Sequence, residues 1–142
     1  MTEPLVIGIG TTKWVKESTT KMITLSRVNQ AGTITLQKEG VDYQVPTGKK
    51  FVMLKLYVGG WHQYAGVIGS QIYKNSTAGT TTGATSLCDA VPSWGQHTYD
   101  TSAGTSMNQI ETYIEIEAGQ YLISTSYSQS ASVVITGVET DA

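Results

Sequence analysis

The sequence predicts an all-β protein, an antiparallel sandwich of short strands joined by turns, and three observations carry that expectation. Residues 43–58, Tyr-Gln-Val-Pro-Thr-Gly-Lys-Lys-Phe-Val-Met-Leu-Lys-Leu-Tyr-Val, read as strand end, tight Pro-x-Gly turn and long strand. Tyr113–Ser124 repeats the plan around an Ala-Gly turn. Charged residues make up only 14% of the 142, while Gly, Ser and Thr are abundant, and apolar residues nowhere keep helical spacing for three turns.

Taken in order, Leu5–Ile9 is a short apolar run that predicts an edge strand or an N-terminal arm, with Trp14 as its anchor on a neighbour or on its own core. Met22–Val28 alternates with Ile23 and Leu25 inward, Asn29–Gly32 turns, and Thr33–Gln37 follows with Ile34 and Leu36 inward. Beyond the Pro-x-Gly turn, Val52, Leu54, Leu56 and Val58 form a wholly apolar face, and Phe51, Met53, Lys55 and Tyr57 a mixed, half-covered one. Gly59–Tyr64 breaks the pattern, and Ala65–Tyr73 recovers it. Residues Asn75 to Asn108 are dominated by Thr, Ser, Gly and Ala, with Leu87-Cys88 and Ala90-Val91 as the one brief strand or anchor. A structureless loop of that length is unusual unless it carries function or packs on a partner. Ile110, Thr112, Ile114 and Ile116 then face inward and Glu111, Tyr113, Glu115 and Glu117 outward. After the Ala-Gly turn, Tyr121, Ile123, Thr125 and Tyr127 share a face, and Val133–Val138 closes the domain. About 8–10 strands at turn spacing fit a β-sandwich of jelly-roll type, with residues 1–20 as arm or edge strand and 21–142 as a single domain.

The N-terminus lacks the basic start and continuous apolar run of a secretory signal, and no segment is long enough to span a bilayer, so the chain is expected to be made in a cytoplasm and to engage no membrane. One cysteine, Cys88, excludes an intrachain disulfide and reads as a small hydrophobe. Charge is divided by position. Up to Lys74 there are nine basic and four acidic residues, net +5; from Asn75 onward there are seven acids and no base, net −7. Either these charges neighbour one another within a subunit, or a basic flank of one copy meets an acidic flank of the next.

Catalytic chemistry finds little support. The histidines, His62 and His97, have no ligand-like partner at metal spacing, and Cys88, Asp89, His97 and Asp100 lie in a polar loop without Cys-x-x-Cys or His-x-x-x-His order. No Gly-x-Ser-x-Gly elbow occurs, and Glu111, Glu115 and Glu117 share an outward strand face instead of opposing one another across a cleft. Gly8-x-Gly10 leads into no helix, and Lys49, Lys50 and Lys55 form no basic-aromatic stripe. The expectation is no enzyme, no cofactor, no metal and no nucleic-acid partner.

One cluster remains. Trp61, His62 and Tyr64 in one loop, with Trp94, His97 and Tyr99 in another, are mostly aromatic groups with polar tips, suited to a subunit interface or a sugar face. The plainer reading makes the tryptophans end plugs of the sandwich and the tyrosines covers for sheet edges.

Three motifs, Tyr43-x-Val-Pro-x-Gly-Lys-Lys-Phe51, Ala118-Gly119-Gln120-Tyr121 and Val133-Val-Ile-Thr-Gly-Val-Glu139, resemble the small jelly-roll virion proteins of tailed bacteriophages, the capsid decoration (cement) proteins and fibre head domains. In pattern the resemblance covers roughly residues 20 to 140. It implies a homotrimer on the outer capsid surface, bound to the major capsid protein and bridging capsomers, with the N-terminal segment as an extended arm. A glycan receptor belongs to the fibre-head alternative.

Overall fold

The computed structural model describes residues 20–30, 32–62, 70–90, 104–126 and 131–142, with backbone alone at 29–30, 60–62, 89–90, 104–108 and 131. The described residues form ten strands and no helix: β1 (Lys21–Gln30), β2 (Thr33–Thr35), β3 (Gln37–Lys38), β4 (Val41–Asp42), β5 (Lys49–His62), β6 (Ser70–Asn75), β7 (Thr85–Ala90), β8 (Gly104–Ile116), β9 (Tyr121–Ser126) and β10 (Ala131–Asp141). The larger sheet has the order β4-β3-β1-β10-β5-β8 and the smaller one β2-β9-β6-β7, with every pairing antiparallel. The chain changes sheet at six of the nine connections between successive described strands; β3–β4 and β6–β7 are hairpins, and β4 leads to β5 within the larger sheet.

Alternation explains most of the core. Ile23 and Leu25 of β1, Ile116 of β8 and Val133 and Ile135 of β10 point from the larger sheet into a cluster that meets Ile72 of β6 and Leu122 of β9 from the smaller one. Ile110 and Ile114 pack against that cluster, as do Leu87 and Cys88 of β7, the strand that the Leu87-Cys88 pair signalled within the polar stretch. A fully buried Leu, Ile or Phe contributes on the order of 1.5–3 kcal/mol. One buried cluster fed by both sheets therefore makes the two sheets a β-sandwich.

The expected face of β5 is half corrected. Leu56 and Val58 are in the core, but Phe51 and Met53 occupy it in place of Val52 and Leu54. The reason is a β-bulge: Gly137 pairs with Met53 and Thr136 with Lys55, so Leu54 is an extra residue in β5 and inverts its alternation. The Phe51 ring lies directly over Gly137, where a Cβ would overlap both that ring and the Val52 carbonyl oxygen. Tyr43 meets Phe51 edge-on, with centroids 5.7 Å apart and planes at 64°.

The smaller sheet departs from expectation at Ile34, which was expected inward. Ile34 is half-buried while its neighbour Thr35 is buried, and Ile123 is buried without joining the core cluster. Thr35 and Ile123 are register partners on the face away from the core, and the loop after β6 returns across that face. There the Gly79 N–H donates to Thr35 Oγ1 at 2.8 Å. Asn75 shapes the loop, its Nδ2 donating to the carbonyls of Thr80 and Thr82 at 2.8 and 3.0 Å. The opening of the Asn75–Asn108 stretch is thus a pinned cover for the sheet, followed by β7.

Candidate functional site

The two matched turns of the sequence lie side by side at one end of the sandwich. At the first, the Lys49 N–H donates to the Pro46 carbonyl at 3.0 Å, which puts Gly48 at the third turn position with φ of 81°. At the second, Gly119 has φ of 86°. The turns bond to each other: Val45 N–H donates to Gln120 O at 2.9 Å, Gly119 N–H to Val45 O at 2.7 Å, and Gln44 Nε2 to Gly119 O at 2.9 Å.

Three ion pairs gather at this end, where β5 begins and β8 and β10 finish. Lys49 Nζ is 2.7 Å from Asp141 Oδ1, Lys50 Nζ 3.3 Å from Glu115 Oε2, and Lys74 Nζ 2.6 Å from Glu117 Oε1. Each joins a lysine of the basic half to an acid of the acidic half within one subunit. The Lys74 hydrogen bond holds the Glu117 carboxyl below its ordinary range, assisted by the backbone. A shallow depression of about 280 Å³ between Lys49, Lys50, Glu115, Glu117 and Ala142 is lined by these already paired charges.

Next to the paired turns is a second cleft of about 420 Å³. Tyr43 and Glu139 line it, 6% and 7% exposed, and the Tyr43 hydroxyl donates to Glu139 Oε2 at 2.8 Å. Glu139 sits on the inward parity of β10, after Val133, Ile135 and Gly137. Burial, reinforced by the hydrogen bond to Glu139 and its charge, raises the Tyr43 phenol far above its ordinary pKa.

The opposite end carries the other buried charge. Arg27 continues the inward series Ile23, Leu25 and crosses the sandwich, its Nη1 donating to Ser124 O at 2.8 Å, Ser124 Oγ at 3.1 Å and Gly32 O at 2.9 Å. Ser70 Oγ lies within hydrogen-bonding distance of Ser124 Oγ, and the Gly32 N–H donates to Ser126 Oγ at 2.9 Å. Burial lowers the Arg27 pKa to about 10, which leaves the guanidinium charged at neutral pH.

Of the aromatic cluster, the backbone of Trp61 and His62 ends β5, pairing with Thr105 and Gly104 of β8. The side chains of Trp61 and His62 lie outside the described residues, as do Trp14, Tyr64, Trp94, His97 and Tyr99 and the Leu5–Ile9 run. Of the strands that flank those segments, β5 at His62 and β8 at Gly104 are register partners. Sequence reading did not pick out Arg27, Tyr43 or Glu139 as site residues, although Tyr43 and Glu139 stand at the ends of two of the resemblance motifs. The available signal was a charge at an apolar parity position, Arg27 in β1 and Glu139 in β10. Among the described residues no group of three or more His, Cys, Asp or Glu is arranged to hold a metal ion. No protein family, curated protein or solved structure matches the chain.

Proposed function

We propose that this chain is a non-enzymatic structural protein of a virion, a capsid decoration protein that sits as a homotrimer on the outer surface of a phage shell and stabilises it. The observation that carries the reading is the strand order. With the short β3–β4 hairpin set aside, the sheets read 1-10-5-8 and 2-9-6-7, and consecutive strands alternate between sheets except at β6–β7. That alternation supports reading the sandwich as a jelly roll, two Greek keys folded into facing sheets. Fold alone does not fix function; the motifs of residues 43–51, 118–121 and 133–139 supply the virion context. Consistent with a rigid shell-binding body, the first and second of those motifs meet through the hydrogen bonds between the turns.

Sedimentation of the purified chain, followed by co-sedimentation with capsids assembled from the major capsid protein of the same genome, tests the reading. A trimer that saturates the shell and raises its melting temperature is the expected result. A monomer that leaves capsids unbound would sink it.

A fibre head that binds a glycan receptor is the second reading. It is favoured by the pairing of His62 with Gly104, which joins the two aromatic-bearing segments to adjacent strands. Saturable signal on a glycan array, lost in Trp61→Ala or Trp94→Ala, would select it over decoration.

A further inference from the structure

Glu139 is more than nine-tenths buried, yet none of the ion pairs among the described residues includes it. Its Oε2 takes the Tyr43 hydroxyl, while Oε1 accepts no hydrogen bond from any described residue. A carboxylate this buried and outside any ion pair is costly in a fold unless a cation meets it. Glu139 is not sealed in; it lines the 420 Å³ cleft together with Val41 and Pro46. Val41 is 68% exposed, one of the few large hydrophobic side chains left to solvent among the described residues, and Pro46 is exposed as well. Asp42 and Gln44 add acceptors at the rim, with Asp42 Oδ1 already taking Gln37 Nε2 at 3.0 Å. Lys38 stands at the same rim without reaching Glu139.

We propose that this cleft receives one basic side chain, an alkylguanidinium or alkylammonium group, with its methylene stem between Val41 and Pro46 and its head on Glu139 Oε1. An apolar lip leading to a buried anion matches the two-part character of lysine and arginine, whose stems cover apolar surface while the charged head seeks an acceptor. The inference is independent of the virion reading. Two sources carry this chemistry: a partner polypeptide, or Lys13 and Lys16 of the chain's own N-terminal segment, which enters β1 at Lys21, the register partner of Glu139.

The test is an NMR titration of the full chain with n-butylguanidinium at constant ionic strength, with n-butanol as the uncharged control. Saturable shifts confined to the amides of Val41 to Gln44 and Glu139 are expected with butylguanidinium only. Affinity should fall at least tenfold in Glu139→Gln, which keeps an acceptor for the Tyr43 hydroxyl, and stay unchanged in Glu111→Gln on the outer face of β8. Should Glu139→Gln fail to fold, Val41→Lys, which places a cation on the exposed lip, should cause the same loss. Lys13→Gln with Lys16→Gln separates the sources: tighter probe binding assigns the occupant to the chain's own segment, and unchanged binding to a partner. Equal affinity in wild type and in Glu139→Gln or Val41→Lys, or shifts spread over Glu111 and Glu115, would overturn the proposal.

Discussion

A side chain at position 137 would have to share space with the Val52 carbonyl and the Phe51 ring. Repacking is blocked on one side by backbone, so Gly137→Ala should cost about 1–3 kcal/mol, the range for overpacked cores, toward its upper end. Urea unfolding would show it as a lower midpoint at unchanged slope; an unshifted midpoint would mean that Phe51 does not lie on Gly137. Arg27 presents the reverse problem, a large charged group that the interior must satisfy. Arg27→Ala leaves Ser124 O and Gly32 O without this donor and opens a void between the sheets, with an expected loss of about 2–4 kcal/mol. Arg27→Lys should recover only part of it, because both carbonyls take their hydrogen bonds from Nη1 at the tip of the guanidinium, one bond further out than a lysine ammonium reaches. Thermal melts of the three proteins rank the effect, and full recovery by lysine would assign it to charge alone.

At the scale of elements, alternation was legible in β1 from Ile23 and Leu25 and in β8 from its outward Glu111, Tyr113 and Glu115, whereas β10 has valines on both faces and could be read only as a closing strand. In β5 both candidate faces are apolar from Phe51 to Leu54, so period two fits either and the bulge is invisible without its β10 neighbour. The aromatic cluster was legible as residue types, but its contacts depend on segments outside the described residues. The cleft was illegible for a different reason: Tyr43 and Glu139 are far apart in sequence and meet only through the pairing of β10 with β1 and β5. Both turns were legible from Pro-x-Gly and Ala-Gly, though not their mutual hydrogen bonds. Those bonds make a prediction. Gly48→Ala and Gly119→Ala each force an L residue to positive φ, at about 1–2 kcal/mol each. A strained first turn displaces Val45, which bonds the second through both its N–H and its carbonyl. A double-mutant cycle should therefore give a coupling of at least about 0.5 kcal/mol; strict additivity would show that the turns act separately.

Over the whole molecule, the sequence divides charge into a basic first half and an acidic second half, and the fold interleaves the halves so that Lys49, Lys50 and Lys74 each meet an acid from the other. These pairs are partly exposed, worth roughly 0.2–1 kcal/mol each. Glu117, held below its ordinary pKa by Lys74, contributes stability that is present above the unfolded carboxyl value and lost as pH falls through the folded one. The loss should be slight, and 0.5 M salt should blunt it. The larger pH effect is expected on the alkaline side, where the two buried groups oppose each other. Tyr43 stays protonated in the fold well beyond the pH at which it ionises in the unfolded chain, so its contribution is complete below about pH 10 and declines above it. Arg27, lowered to about 10 by burial, releases its proton first in the folded state and pulls stability upward over the same range. Comparing wild type with Tyr43→Phe by urea unfolding at pH 8, 10 and 11 separates the two. Tyr43→Phe should be the less stable protein at pH 8, because Glu139 then loses its hydrogen-bond donor at a cost of about 1–3 kcal/mol. The gap should narrow at pH 11 as wild type alone loses the Tyr43 contribution. A gap constant from pH 8 to 11 would mean that the Tyr43 phenol ionises alike in folded and unfolded chains, and that Glu139 does not hold it.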